Sequence, residues 1–508
     1  MDIPTIDVPV LDFPVLSLLL IVPFVGALLT LLMGGKREKF AVYIAMLATV
    51  ATLVLAFYML LVNPADYGKF DESYVWIQAS VLQMNYALHI DGLSILMVFL
   101  TALLVFVVVI FSYAEKDRPN YFHTLLLAME VGLMGVYLSA DYFLFYIMWE
   151  VTLIPMFFMI SWYGGPRRHY SAIKFFIYTH VASLVMLIGI FIMVFTAAAG
   201  GVADFSFEAV KAGLGANMSV ALQTIVFGLL FFGFIVKMPI VPFHTWLPDA
   251  HVEAPTAGSV LLAGVMLKMG SYGIIRICLG AFSIDAALNW QWMMIGLGIL
   301  SMIYGAYACI AQKDLKKMVA YSSISHMGMV LVGIGVLSDA GVEFAIFQMF
   351  AHGLITAELF MVCGLAGHNI GTREIPLLGG MASKMPVWAF FMMFGFMASL
   401  GLPGLVGFVA EFGILYAFWE FIVDLGGWYI AMIAFGMLSM MLTAGYYLWS
   451  MQRTLFGDLT DRIDLEHVHD ISKTEFMALA IMVCMIALFG VMPSIATDFI
   501  TTFTGGMF

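Results

Sequence analysis

Long apolar runs separated by short polar segments recur from one end of this chain to the other. A helix needs about 20 apolar residues to cross a bilayer. Fourteen runs meet that length, near residues 15–34, 40–62, 88–112, 121–139, 142–162, 170–197, 219–247, 256–278, 289–310, 319–337, 342–367, 386–421, 428–451 and 476–497. The seventh and twelfth are too long for one straight helix. Residues 219–247 carry Lys237, Pro239 and Pro242, and residues 386–421 carry Gly401, Pro403, Gly404 and Gly407. Proline removes a backbone donor and clashes with the preceding turn. The pattern therefore predicts an all-α polytopic membrane protein with broken helices 7 and 12.

Composition agrees, with 63% apolar and 11% charged residues, against roughly 25% charged in soluble domains. The N-terminus, MDIPTIDVPVLDFP, is acidic and lacks the basic region of a secretory signal, so the first run is read as a retained span. Lys and Arg test the count, because their excess marks the cytoplasmic side. The odd-numbered loops hold fifteen: Lys36, Arg37, Lys39, Lys116, Arg118, Arg167, Arg168, Lys313, Lys316, Lys317, Arg373, Lys384, Arg453, Arg462 and Lys473. The even-numbered loops hold Lys69, Lys211 and Arg276. That split places both termini outside. Three of the 21 basic residues remain, Lys174, Lys237 and Lys268, each inside a span.

A charge at the bilayer centre costs about 2.5–3.5 kcal/mol on insertion scales, so it marks a candidate site. Lys174 lies one turn inside its span and reads as snorkelling. Lys268 is too deep for that, and Lys237 sits beside a helix break. Glu150 and Glu411 are mid-span acids, and Glu150 can pair with Lys237 from another helix. His326 and His352 suit a proton relay, although core histidines are the plainer alternative. Glu130, His180 and Glu358 are second-rank candidates. His244, Asp249, His251 and Glu253 form a polar cluster that reads as a re-entrant loop rather than a metal site, since nothing sits at fixed ligand spacing. Cys278, Cys309, Cys363 and Cys484 are scattered and read as small buried residues. There is no nucleotide fingerprint or phosphate loop, and the net charge of −12 names no nucleic-acid or other partner.

Ionisable pairs recur at similar offsets: Glu150 and His326 by 176 residues, His180 and His352 by 172, Lys237 and Glu411 by 174. Spans 4–8 then correspond to spans 9–13, and an odd number of spans per copy inverts one against the other. The expected organisation is 1–120 for spans 1–3, 121–278 and 289–455 for the two five-helix repeats, and 456–508 for a cytoplasmic loop and span 14.

The run FGFIVKMPIVPFHTWLPDAHVEAPTAGSVLLAGVMLKMGSYGIIR closely resembles the antiporter-like M subunits of respiratory complex I, the proton-pumping NADH:quinone oxidoreductase. FYIMWEVTLIPMFFMISWYGG, DLKKMVAYSSISHMG and GLPGLVGFVAEF do so too, and the likeness extends over residues 85–455. The resemblance implies fourteen core helices with inverted repeats, and a proton path through Glu150, Lys237, Lys268, His326, His352 and Glu411. An acid at position 411 favours M over the sister subunits L and N, which usually carry lysine there. The chain also ends soon after span 14, without the long lateral helix of subunit L. The resemblance further implies a bacterial inner-membrane subunit that is a non-redox translocase. Its partners would be subunits L and N and the lipid bilayer, with NADH, FMN, iron–sulfur clusters and quinone held elsewhere in the complex. A subunit of a related sodium/proton antiporter or membrane-bound hydrogenase is the alternative.

Overall fold

The structure is a computed structural model that describes residues 13–508 apart from 462 and 465. Most of the acidic N-terminal segment, and Arg462, lie outside the described residues. Fourteen helices long and apolar enough to cross a membrane correspond one to one with the fourteen runs. Those that matter below are the third (Gly92–Phe111), fifth (Tyr142–Tyr163), sixth (Arg168–Ala197), eighth (Thr256–Leu279), tenth (Leu315–Gly335), eleventh (Asp339–Ile370) and thirteenth (Tyr429–Leu455). Polar residues at their starts fix several boundaries. Asp91 accepts the backbone N–H groups of Leu93 and Ser94 at 3.1 and 3.0 Å, Asp141 those of Phe143 and Leu144, and Asp314 that of Lys317. Each carboxylate satisfies donors that the first turn of a helix leaves free.

The third span starts at Gly92, four residues later than the apolar pattern suggested, because the preceding residues pair as a sheet. Strand β1 (Glu72–Gln78) is antiparallel to β2 (Leu82–Leu88), which takes β3 (Ala203–Asp204) in parallel. The fourteenth span ends at Val491, and a separate short helix, Ser494–Thr504, follows it.

The spans are not equivalent in burial. In the third, eighth, tenth and eleventh, 94% of the hydrophobic window is enclosed by protein, against 22% in the thirteenth. Lys268, His326 and His352 all ride on this central group. The outer spans turn side chains such as Leu47, Val54 and Met441 outward, where lipid covers them in place of water.

Both expected breaks are present. The seventh span is helical over Val220–Lys237, turns, and resumes at Trp246–Glu253. The Trp246 indole donates to the Val236 carbonyl at 2.9 Å, and the Val241 N–H donates to Ser301 Oγ at 3.0 Å. Protein groups thus satisfy backbone that lipid could not. The twelfth span divides into Pro386–Ser399 and Val406–Leu425. Gly401 and Gly404 turn the chain between them at φ +78° and +94°, a conformation open to glycine. The eighth helix contains two stretches of wide π turns, Leu262–Met266 and Ile274–Leu279, on either side of Lys268.

Several charges assigned to loops fall within the spans, and two of them find partners inside the protein. Arg276 lies inside the eighth span, where Asp91 neutralises it. Lys316 is in the first turn of the tenth and is buried, its ammonium donating to the Ala254 carbonyl at 2.6 Å. Hydropathy does not register a partner supplied by another helix.

Candidate functional site: a buried proton path

The central helices assemble a continuous row of ionisable groups. The wide turn before Lys268 opens the regular ladder of carbonyls, and the Lys268 ammonium donates to the Ala263 carbonyl there. It also lies 2.8 Å from Nδ1 of His352 on the eleventh span. The other ring nitrogen of His352, Nε2, is buried without a hydrogen-bond partner among the described residues. The His352 ring is 5.4 Å, centroid to centroid, from His326 on the tenth span. His326 Nδ1 is 3.2 Å from Glu411 Oε1, just past the break in the twelfth. A hydrogen bond between those two atoms needs one proton, supplied by the ring as Nδ1–H or by a carboxylic acid; with the proton on Nδ1 of a neutral imidazole, Nε2 is free to accept another. Lys268, His352, His326 and Glu411 are all nearly inaccessible to solvent. Each is of a type that can accept and surrender a proton.

The other end of the expected path is arranged differently. Glu150 does not pair with Lys237. Its carboxylate is held by the sixth span, with Oε2 2.8 Å from His180 Nδ1 and Oε1 accepting from the Ser183 hydroxyl. His180, a second-rank candidate, therefore belongs to the site. Lys237 ends its half-helix with an ammonium buried over the rings of Trp149 and Phe175, at 5.5 and 5.7 Å from their centroids. Its Nζ has no hydrogen-bond partner among the described residues. Sequence supplied the two charges but not the sixth-helix groups competing for the acid.

Lys174 finds a protein partner. It forms an ion pair with Asp249 at 2.7 Å, on the short helix that follows the seventh-span break. Arg167 adds contacts to Asp249 at 3.8 Å and to Glu253 at 3.6 Å. Asp249, His251 and Glu253 thus lie on a helix rather than a loop, and salt bridges fasten it to the start of the sixth span. His244 packs edge-on against Tyr304, and His251 stacks on Phe360 with both ring nitrogens unpartnered among the described residues. No group of three metal-ligating side chains forms among the described residues. Glu130 is buried off the row, accepting from Thr52 of the second span at 2.7 Å.

Sequence reasoning missed a hydroxyl chain beside the row. Ser399 Oγ is 3.3 Å from His326 Nε2 and donates to Tyr447 Oη at 2.8 Å, which donates to Ser322 Oγ at 3.0 Å. Hydroxyls cost little in a span, so nothing in the local sequence separates these three from others that only pack.

Comparison with known proteins gives a consistent picture. Residues 139–441 match the family described as NADH:quinone oxidoreductase/Mrp antiporter, TM. The chain is similar to F(420)H(2) dehydrogenase subunit M of Methanosarcina mazei, 41% identical with 95% of each chain covered. It is also similar to NADH-quinone oxidoreductase subunit M of Rhodobacter capsulatus, 38% identical over 92% of this chain and 90% of that one. Among solved structures, a chain of respiratory complex I from Thermus thermophilus superposes with a TM-score of 0.84 at 26% identity, covering 97% of this chain and 99% of the other.

Proposed function

The chain belongs to the NADH:quinone oxidoreductase/Mrp antiporter membrane family, and on that premise we propose that it moves protons across the membrane through the row from Lys237 to Glu411. It is an integral membrane subunit of a complex of the NADH:quinone oxidoreductase type. The observation that carries the proposal is the continuous contact of Lys268, His352, His326 and Glu411 inside the central helices. The chain acts as a translocase without redox chemistry of its own. Two relatives this similar are named for different electron donors, F(420)H(2) and NADH. In our reading, the donor and the groups that oxidise it (flavin, iron–sulfur clusters, quinone site) are set by partner subunits. Sister subunits of the L and N type are the expected neighbours in the membrane. Both termini face outward, and the end where Arg167, Arg373 and Lys313 gather faces the cytoplasm, in line with the excess of basic residues there.

The pumping stroke follows from the contacts of Glu150. In this structure the acid is on His180 and Ser183, while Lys237 is caged by rings. A carboxylate brought to Lys237 favours its charged form, and one withdrawn to His180 favours release of the proton toward Lys268. Moving one charge against 100 mV requires about 2.3 kcal/mol. A change in proton affinity of less than a hundredfold supplies that, at about 1.4 kcal/mol per tenfold. Redox energy from the partner subunits drives the acid from one position to the other.

The test is the purified complex in liposomes. Lys237→Met and Glu150→Gln should each abolish most coupled proton translocation while the complex still assembles. A parental number of protons per electron pair in either variant would refute the stroke.

A further inference from the structure

Glu358 is buried in the eleventh span, and neither of its carboxyl oxygens has a hydrogen-bond partner among the described residues. No other carboxylate among the described residues has both oxygens buried and unpaired. A buried polar group left unsatisfied costs about 1–3 kcal/mol, so packing gives no reason to keep an acid where leucine would serve. The fold also makes room for it. Gly395, on the first half of the twelfth span, faces the carboxylate so closely that a Cβ there would lie 1.8 Å from Glu358 Oε2.

Its position relative to the row is informative. Glu358 lies six residues beyond His352, about 9 Å farther along the helix at 1.5 Å per residue. That displacement is toward the end where Arg373 pairs with Asp314, the end read above as cytoplasmic. Gly395 and Ser399 are one turn apart on the same helix face. Ser399 already contacts His326 Nε2 and Tyr447. An unpaired acid therefore stands one turn from a hydroxyl chain that ends on the proton row.

We propose that Glu358 is the inlet proton carrier of the second half of the path, delivering a proton through a bridging water and the Ser399 hydroxyl to His326 Nε2. The Glu358 O–H bond breaks as the water takes that proton and passes one of its own to Ser399. The Ser399 hydroxyl turns from Tyr447 to His326 and gives up its proton as the N–H bond forms, and the water's proton restores the hydroxyl. The carboxylate left behind is reprotonated from water on the cytoplasmic side. This inference rests on the proton-path reading and adds a lateral supply to it.

The experiment uses the whole complex in liposomes with Glu358→Gln, Ser399→Ala and Lys268→Met side by side. It reads electron transfer, proton translocation and the infrared carbonyl band of protonated carboxyls during turnover. Glu358→Gln preserves size and should slow translocation at least about tenfold, toward the range for losing a positioned proton-transfer group. The parental complex should show a carbonyl band that changes in turnover and is missing in Glu358→Gln, a signature that a merely structural role would not produce. Ser399→Ala should slow translocation with the band retained. If Lys268→Met stops pumping while Glu358→Gln pumps at the parental rate, the inlet is overturned and the row stands. Normal pumping in Lys268→Met overturns the row itself. If Glu358→Gln fails to assemble, parental pumping in Ser399→Ala overturns the inlet.

Discussion

At the scale of single residues, the site is built from charges whose partners come from other helices. His326 and Glu411 illustrate the consequence. They stand 3.2 Å apart, so replacing the acid should matter according to whether a protonatable group remains. Glu411→Lys should retain more proton translocation than Glu411→Ala, measured as protons per electron pair in reconstituted complex. Equal loss in both would show that the carboxylate acts by charge and not as a proton carrier. Glu150 illustrates the opposite case, in which two groups on the sixth span hold an acid away from the lysine it is expected to serve.

At the scale of elements, the broken helices and the wide turns of the eighth span position these groups. Gly270 lies two residues past Lys268, against the end of the seventh-span half-helix. A Cβ at Gly270 would meet the Phe234 carbonyl oxygen at 2.4 Å and the Met238 nitrogen at 2.9 Å. Backbone cannot swing aside as a side chain can. Gly270→Ala should therefore push Lys237 and Lys268 apart, costing about 1–3 kcal/mol as overpacking. The expected result is a lower unfolding temperature together with slower pumping. Unchanged stability would mean that the half-helix end is free to move, and that the close approach does not set the lysines.

At the scale of the whole molecule, a bridge far from the row ties helix ends together. The Arg276 guanidinium donates to both oxygens of Asp91, at 2.6 and 2.7 Å. This ties the eighth span to the start of the third. Burial alone would raise the Asp91 carboxyl, but Arg276, by charge and by hydrogen bonds, outweighs it and lowers the carboxyl to about 2. An acid whose folded value is depressed stabilises fully above its unfolded value, about 3.9, and loses that contribution as pH falls through the folded one. The bridge should thus contribute constant stability from pH 5 to 8 and weaken only below about pH 4. Arg276→Met, which strands a buried charge, should cost roughly 3–5 kcal/mol. It should lower the melting temperature of the complex while the assembled fraction still pumps. Loss of pumping in fully assembled Arg276→Met complex would give the bridge a part in transport.

The sequence by itself determined the class and much of the plan. Fourteen twenty-residue apolar runs are read as spans in a bilayer, prolines and glycines at 239, 242, 401 and 404 mark the breaks in the two over-long runs, and lysines in apolar runs demand an explanation. These are local properties, so they could be read without the fold. Which charge meets which could not. Lys237 and Glu150 are 87 residues apart, and the choice of His180 over Lys237 as the partner of Glu150 depends on how the sixth helix is rotated against the fifth. The union of Lys268 with His352, the pairing of Lys174 with Asp249 and the isolation of Glu358 opposite Gly395 have the same origin. They are contacts between helices, set by packing and by small residues at the crossings, and only the tertiary structure decides them.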